Sequence, residues 1–258
     1  MKINADYHTH TRYSHGKGTV MDNALSAKNV GLCEIAITDH GFSHPAFGMR
    51  RRKLNAMRRD CVEAEKATGV KVLLGIESNI LGESGKIDVK PSDYDKLDVI
   101  VAGVHRCVFY DKPKDYAKLF IANFYDDVFK KNASKSLYDY NTRTYINAIK
   151  NNPIDIISHL NFRVDCDVKA VADCAADYGT YIEINTKKVH MTREQWYAVF
   201  SSKANFLIDS DAHSPARVGD ITLFEQLEKE GISFPKDRIF NIGDKHPTFR
   251  FEQFKNSL

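Results

Sequence analysis

Ten histidines stand in this 258-residue chain, and their spacing is uneven. His8 and His10 form a His-x-His pair with His15 close behind, and Asp211 and His213 form a second i, i+2 pair. Between them lie His40 in ITDHG, Glu77 in GIESN, His105 in AGVHR and His159 in ISHLN. In extended chain, residues two apart point to the same side. One His-x-His pair means little, since chance gives roughly 0.35 in a chain of this composition. A single His at the end of an apolar run is more often a hydrogen-bonded core or surface residue. The joint pattern is what carries weight. All nine residues close a short apolar run or sit in the loop directly after one. Imidazoles with carboxylates suit zinc, manganese or iron. Nine donors are too many for one tetrahedral or octahedral ion, so two or three divalent cations are expected.

The apolar runs are the elements that must position these groups. They read Ile3–His8, Glu34–Asp39, Val70–Ile76, Val99–Val104, Ile154–Ser158, Thr180–Ile184 and Phe206–Ile208. Most are continuously apolar, as strands buried on both faces should be. Helical patterns separate them. Met21–Val30, Arg52–Thr68 and Asp167–Tyr178 each stop at a glycine, and Thr192 to Gln195 is a capping-box start. Seven strand-then-helix units predict an α/β fold, a parallel barrel-like sheet one strand short of the common eight. Tyr110 to Asn152 is longer than a crossover needs. Its Tyr116, Leu119, Phe120, Phe124 and Tyr145, Ile146, Ile149 spacing predicts two helices in place of one. In such a barrel all strand carboxyl ends share one face, so the nine residues converge from six strand ends on one mouth.

Composition narrows the class. Hydrophobic residues at 43% and charged ones at 28% are ordinary for a globular chain. A net charge of +3 does not by itself point to nucleic acid. No basic-then-apolar leader and no run of membrane-spanning length is visible. The five cysteines form no CxxC and read as small buried hydrophobes in a reducing cytoplasm. With no linker or repeat, residues 1–258 are expected to be a single domain.

The runs DYHTHTRYSHG, ITDHG, GIESNI, AGVHR, ISHLN and DSDAH resemble the PHP (polymerase and histidinol phosphatase) family, and more closely its YcdX-like phosphatase branch. YIEINT and FPKDRIFN extend the likeness to nearly the whole chain. The resemblance implies a distorted seven-stranded, TIM-like βα barrel in one domain, holding three divalent metals. Carried over, His8, His10, Glu77 and Asp211 would bind one. Glu77 would bridge to a second held with His105 and His159. His15, His40 and His213 would take the third. Zinc is expected first, with manganese or iron as alternatives. The Tyr110–Asn152 insertion departs from shorter relatives and weakens any transfer of substrate preference.

Two cations sharing a carboxylate trap and acidify a hydroxide, and they clamp phosphate oxygens. Phosphoryl transfer needs mainly this positioning and charge stabilisation. The expected activity is hydrolysis of small phosphomonoesters by a cytoplasmic phosphatase, with Glu77 and Asp211 as catalytic residues. Asp211 would steer or accept the hydroxide proton, or act only as a ligand. Guanidinium groups suit phosphate. Arg217, four residues past His213, is the first candidate for substrate binding, then Arg163, with Arg106 weaker. His190 is expected to be a substrate contact or an acid. His44 is a weaker candidate of the same kind, His246 is read as structural, and Asp39 as an outer or structural group. Arg50 to Lys53 with Arg58 and Arg59 form either a solvated, paired face or a basic lip for anions. Three alternatives remain. One is a phosphodiesterase or nuclease acting on nucleotides or single strands, although 258 residues leave no room for a polymerase domain. Another is an amidohydrolase-like C–N hydrolase, which usually has a bridging Lys on strand four. The last is a non-catalytic metal binder, which would more naturally have lost ligands. A homo-oligomer is compatible with all of these.

Overall fold

The computed structural model describes residues 1–257. Seven parallel strands follow one another around the sheet in sequence order. They are β1 (Ala5–Thr9), β2 (Glu34–Ile37), β3 (Lys71–Asn79), β4 (Val99–Gly103), β5 (Ile156–Ile157), β6 (Tyr181–Asn185) and β7 (Phe206–Asp209). Outside them lie α1 (Val20–Val30), α2 (Leu54–Thr68), α3 (Pro113–Asp115), α4 (Asn123–Val128), α5 (Lys135–Asn151), α6 (Val168–Tyr178), α7 (Arg193–Phe200), α8 (Thr222–Lys229) and α9 (Arg250–Lys255). The expected α/β barrel of seven strands is the observed one.

Local signals set the helices. Thr19 and Asp22 cap α1 reciprocally, as Thr192 and Gln195 cap α7. Gly31 and Gly179, at φ 78° and 69°, end α1 and α6 in the left-handed conformation that side chains disfavour. The α2 helix begins at Leu54, two residues later than expected, because Arg51–Lys53 form a 3-10 turn ahead of it. Basic residues in the first turn of a helix oppose its dipole, and most of this cluster instead precedes the helix. Arg51 pairs with Asp93 at 3.1 Å and Arg58 with Asp98 at 2.6 Å, while Arg50, Arg52, Lys53 and Arg59 are exposed.

Two cores result. A large apolar layer lies between strands and helices. A smaller one fills the barrel, with Ala5, Tyr7, Ala36, Val101 and Leu207 among its members and Phe249 closing the amino end. The sheet closes on itself between β7 and β1 with few ladder bonds. His10 N donates to Ala212 O at 2.8 Å near the carboxyl end. Below that, side chains replace the ladder. Asp209 accepts from Tyr7 N at 2.7 Å, Asp6 accepts from Ser210 N at 3.1 Å, and Asn241 bonds both Ala5 O and Ile208 N at 3.0 Å. Buried backbone groups at a seam must find partners, and seven strands leave a gap that these residues fill.

The insertion does hold two helical stretches, Pro113 to Val128 and α5, the first containing a π-helical run at Tyr116–Ala122. In α5, Tyr145 and Ile149 are buried as the pattern required. In the first stretch only Leu119 of the predicted stripe is buried, while Tyr116 and Phe124 are each 47% exposed. Among the described residues no helix is long and apolar enough to cross a membrane.

Candidate metal centre

The nine predicted residues meet at the carboxyl end of the barrel. β1 delivers His8 and His10 with their Nε2 atoms 3.1 Å apart, and both are fully buried. A register shift between Asp6 and Thr9 in the β1–β2 pairing accompanies them, the kind of irregularity that re-aims side chains. β3 runs on to Asn79, so Glu77 lies inside the strand rather than after it. His40 is bridged to Glu77 beside it. His159 and Asp211 take left-handed backbone, φ 30° and 47°. For residues other than glycine this costs about 1–3 kcal/mol each, a strain typical of functional sites.

Glu77 is the hub. Its Oε1 lies 3.2 Å from His8 Nε2, 3.0 Å from His105 Nε2 and 2.8 Å from His159 Nε2. Its Oε2 lies 2.8 Å from His40 Nδ1, too poorly aligned to be a hydrogen bond, and 3.6 Å from His10 Nε2. Burial alone would raise its pKa, yet the facing His105, His8 and His40 rings hold the carboxyl well below its usual range. A second centre forms around Asp211, whose Oδ1 is 3.3 Å from His10 Nε2 and 3.2 Å from His213 Nδ1. His15 packs between His40 and His213, ring centroids 4.7 and 4.3 Å away. Burial, then the charge of neighbouring imidazoles, lowers His15 to about 4. Burial lowers His40 to about 4 as well, against the pull of Glu77. Both rings are therefore neutral at pH 7, the ligating form.

This donor set fits divalent cations. Three triads each offer one ligand atom within 4.8 Å of the others: His8, His10, Asp211; His10, His40, His213; and His40, Glu77, His105. Buried imidazoles and carboxylates crowded this closely lack enough hydrogen-bond donors among themselves. Cations satisfy them instead.

Outer carboxylates hold the cluster. Glu183 on β6, fully buried, lies 2.5 Å from His8 Nδ1 and accepts from His159 N at 2.6 Å and from Asn185 Nδ2 at 3.0 Å. This turns His8 Nε2 inward, the carboxylate–histidine arrangement that orients a metal ligand. Glu183→Gln is expected to weaken metal binding about 10–100-fold, measured by titrating the stripped protein. Wild-type affinity in that variant would show His8 to be held by other contacts. Asp39 accepts from Thr11 N at 2.8 Å, Thr11 Oγ1 at 2.5 Å and Ser14 N at 3.1 Å, which fixes the loop between His10 and His15. Glu183 escaped the sequence reading, although a Glu within the apolar run YIEIN was the available signal.

The expected substrate residues divide. A cavity of about 160 Å³ opens over the cluster, lined among others by Phe162, Lys187, Lys188 and His190. His190 is at the predicted place. Its Nδ1 donates to Leu160 O at 2.6 Å, leaving Nε2 as a buried acceptor, and burial lowers its pKa to about 4. It stays neutral, which fits a substrate contact and not an acid. Arg217 is a correction. Its guanidinium bonds Thr186 O at 3.2 Å and pairs with Asp220 at 3.2 Å, away from that lining. Arg106 is likewise turned to Asp127, at 2.9 Å. Arg163 is partly exposed, 3.7 Å from Asp127, at the rim beside Phe162. Lys187, which the sequence reading missed, is the cation beside the cluster, with Nζ 3.1 Å from Asp211 Oδ1 and 2.9 Å from His213 Nδ1. Arg217→Ala should therefore keep kcat/KM within about threefold and cost at most about 1 kcal/mol of stability, because its ion pair is partly exposed. Parallel kinetics and thermal melts check this. A hundredfold loss of kcat/KM would return Arg217 to the site.

A parallel barrel with imidazoles and carboxylates gathered at its carboxyl mouth defines a metal-dependent hydrolase. The chain belongs to the PHP domain family, whose model matches residues 6–187. Curated relatives named as probable phosphatases include one from Caldanaerobacter subterraneus, 31% identical, covering 93% of this chain and 88% of its own. YcdX from Escherichia coli is 32% identical over 93% of this chain and 90% of its own. The fold is shared with the histidinol phosphate phosphatase of Lactococcus lactis, solved with zinc, L-histidinol and phosphate. That similarity has a TM-score of 0.59 at 14% identity, over 90% of this chain and 95% of the other. The protein is accordingly a metal-dependent phosphoesterase.

Proposed function

We propose that the protein is a phosphomonoesterase working with three divalent cations, zinc first among them. His8, His10, Glu77 and Asp211 would hold one; Glu77, His105 and His159 a second; His15, His40 and His213 the third. The observation that carries this reading is Glu77, whose two oxygens face imidazoles from β1, β2, β4 and β5 at once. When bound, such cations polarise a phosphoryl group and acidify water at neutral pH. The chain's own residues do the rest. Glu183 and Asp39 fix the imidazoles and the β1 loop, so little reorganisation is left for the reaction. Asp211 Oδ1, beside the cavity, is placed to hold a proton from the attacking water. Lys187 Nζ reaches the same oxygen, and would be free to turn to a phosphoryl oxygen if cations engaged Asp211 and His213.

The cavity over the cluster, about 160 Å³, is on the scale of a small phosphorylated group. Arg51 and Arg58 of the basic segment are engaged by Asp93 and Asp98, while Arg50, Arg52, Lys53 and Arg59 stay exposed, so the assay decides the nucleic-acid alternative. β4 (VIVAG) carries no Lys, and Glu77 stands at the hub, against the amidohydrolase alternative. The test is a metal-loaded assay on a small monoester, a small diester and a single-stranded oligonucleotide. Monoester turnover well above the other two is expected. Preference for the diester or oligonucleotide would overturn the reading.

A further inference from the structure

Beyond the metal cluster, the cavity has a sill made by the exits of β5 and β6. Phe162 and His190 line both the metal cavity and a larger outer groove of about 670 Å³. An alcohol attached to a phosphoryl group at the metals can extend across this sill into the groove. Three features of it are chemically specific. Lys188 Nζ and the Arg163 guanidinium both lie 5.0 Å from the Phe162 ring centroid, so two cations flank one aromatic surface. Among the described residues Lys188 has no carboxylate within ion-pair distance; Lys187 and Arg163 repel it, and Asp211 attracts it more weakly. His190 Nε2 is buried without a partner, and Nδ1–H is committed to Leu160 O, so Nε2 can only accept. Of the acids across the groove, only Asp127 is paired with cations among the described residues. Asp127 is shared by Arg106 and Arg163, and Asp165 accepts from Ala133 N.

We infer that this sill is a leaving-group subsite for phosphomonoesters that carry a second negative group and a free hydroxyl. Lys188, with Arg163 behind it, takes the second anion, either a carboxylate or a phosphate. His190 Nε2 accepts the hydroxyl proton, and Phe162 supports the carbon chain. This rests on the phosphomonoesterase reading and narrows it. The same cations disfavour amino-alcohol phosphates, whose ammonium group would sit against Lys188 and Arg163. Selectivity here comes from repulsion as much as from attraction.

The test uses the metal-loaded protein and matched substrates. 3-Phosphoglycerate and glycerol 3-phosphate differ by a carboxylate, fructose 1,6-bisphosphate and fructose 6-phosphate by a phosphate. Phosphoethanolamine supplies the ammonium, and propyl phosphate lacks the hydroxyl. The wild type should favour each doubly anionic substrate over its partner by about fivefold in kcat/KM, the upper end of what one partly exposed charge contact supplies. Phosphoethanolamine should be the poorest. Lys188→Glu should reverse the order of 3-phosphoglycerate and phosphoethanolamine. His190→Phe, which keeps a ring against Trp196, should bring glycerol 3-phosphate and propyl phosphate to within about twofold of each other. Metal content confirms that each variant is folded and loaded. The carboxylate and phosphate pairs tell which second anion is read. If propyl phosphate and glycerol 3-phosphate are turned over but the charge ratios stay flat, or Lys188→Glu leaves them unchanged, this inference alone is overturned. If no monoester in the set is turned over, the phosphomonoesterase reading fails with it.

Discussion

Glu77→Gln should lower turnover by about 10³-fold or more, an effect of roughly 4 kcal/mol on the barrier and larger than loss of any one outer imidazole. The reason is geometric. Both oxygens of Glu77 face imidazoles, Oε1 those of His8, His105 and His159, Oε2 that of His40. An amide retains one acceptor oxygen and presents a neutral NH₂ to the other half of the cluster. The charge that two cations would share disappears while the side chain keeps its shape. Steady-state kinetics on Glu77→Gln beside His15→Ala, each with its metal content determined, would check the ranking. Near-normal turnover of Glu77→Gln at full metal occupancy would show that the carboxylate is no bridge.

Stripping the cations should abolish activity and lower the melting temperature by at least ~10 °C. One site filled at a thousand times its dissociation constant contributes about 4 kcal/mol, and about 2–4 °C follows per kcal/mol in a chain of this size. Several sites add to that figure. The buried Glu77 and Asp211 carboxylates and the imidazoles around them would be left to satisfy one another, which lone pairs facing lone pairs do poorly. Melting curves with and without a chelator measure this. A melting temperature that did not move would mean that the cluster is held by its protein contacts alone. Restoring zinc, manganese or iron to the stripped protein would then rank the metals by recovered activity.

The candidate metal centre was legible because each of its residues closes an apolar run or follows one directly, and in a parallel barrel every such end opens on one face. Seven strands could be counted for the same reason. The orientation of loop side chains was not legible. Arg217 stands four residues past His213, as a phosphate clamp would, yet its direction is set by Thr186 O and Asp220, which spacing does not reveal. Lys187 and Lys188 reach the cavity because β6 ends at Asn185 and the chain turns there. Glu183 stands in YIEIN, which signals only a strand; its role exists once β6 lies beside β5 and its side chain reaches His8 of β1. In the insertion, the spacing of Tyr116, Leu119, Phe120 and Phe124 announced a helix but not which side would be covered. A π-helical run changes the angular step between residues, and Leu119 alone of that stripe is buried.

Counting the metal is the most direct test of the central claim that nine side chains at one barrel mouth serve several cations together. Elemental analysis of the saturated protein would be read beside activity as cations are returned to the stripped chain. The account predicts three divalent ions per chain, with full activity only as the sites fill. Saturation at two ions or fewer, or full activity with a single ion, would contradict it.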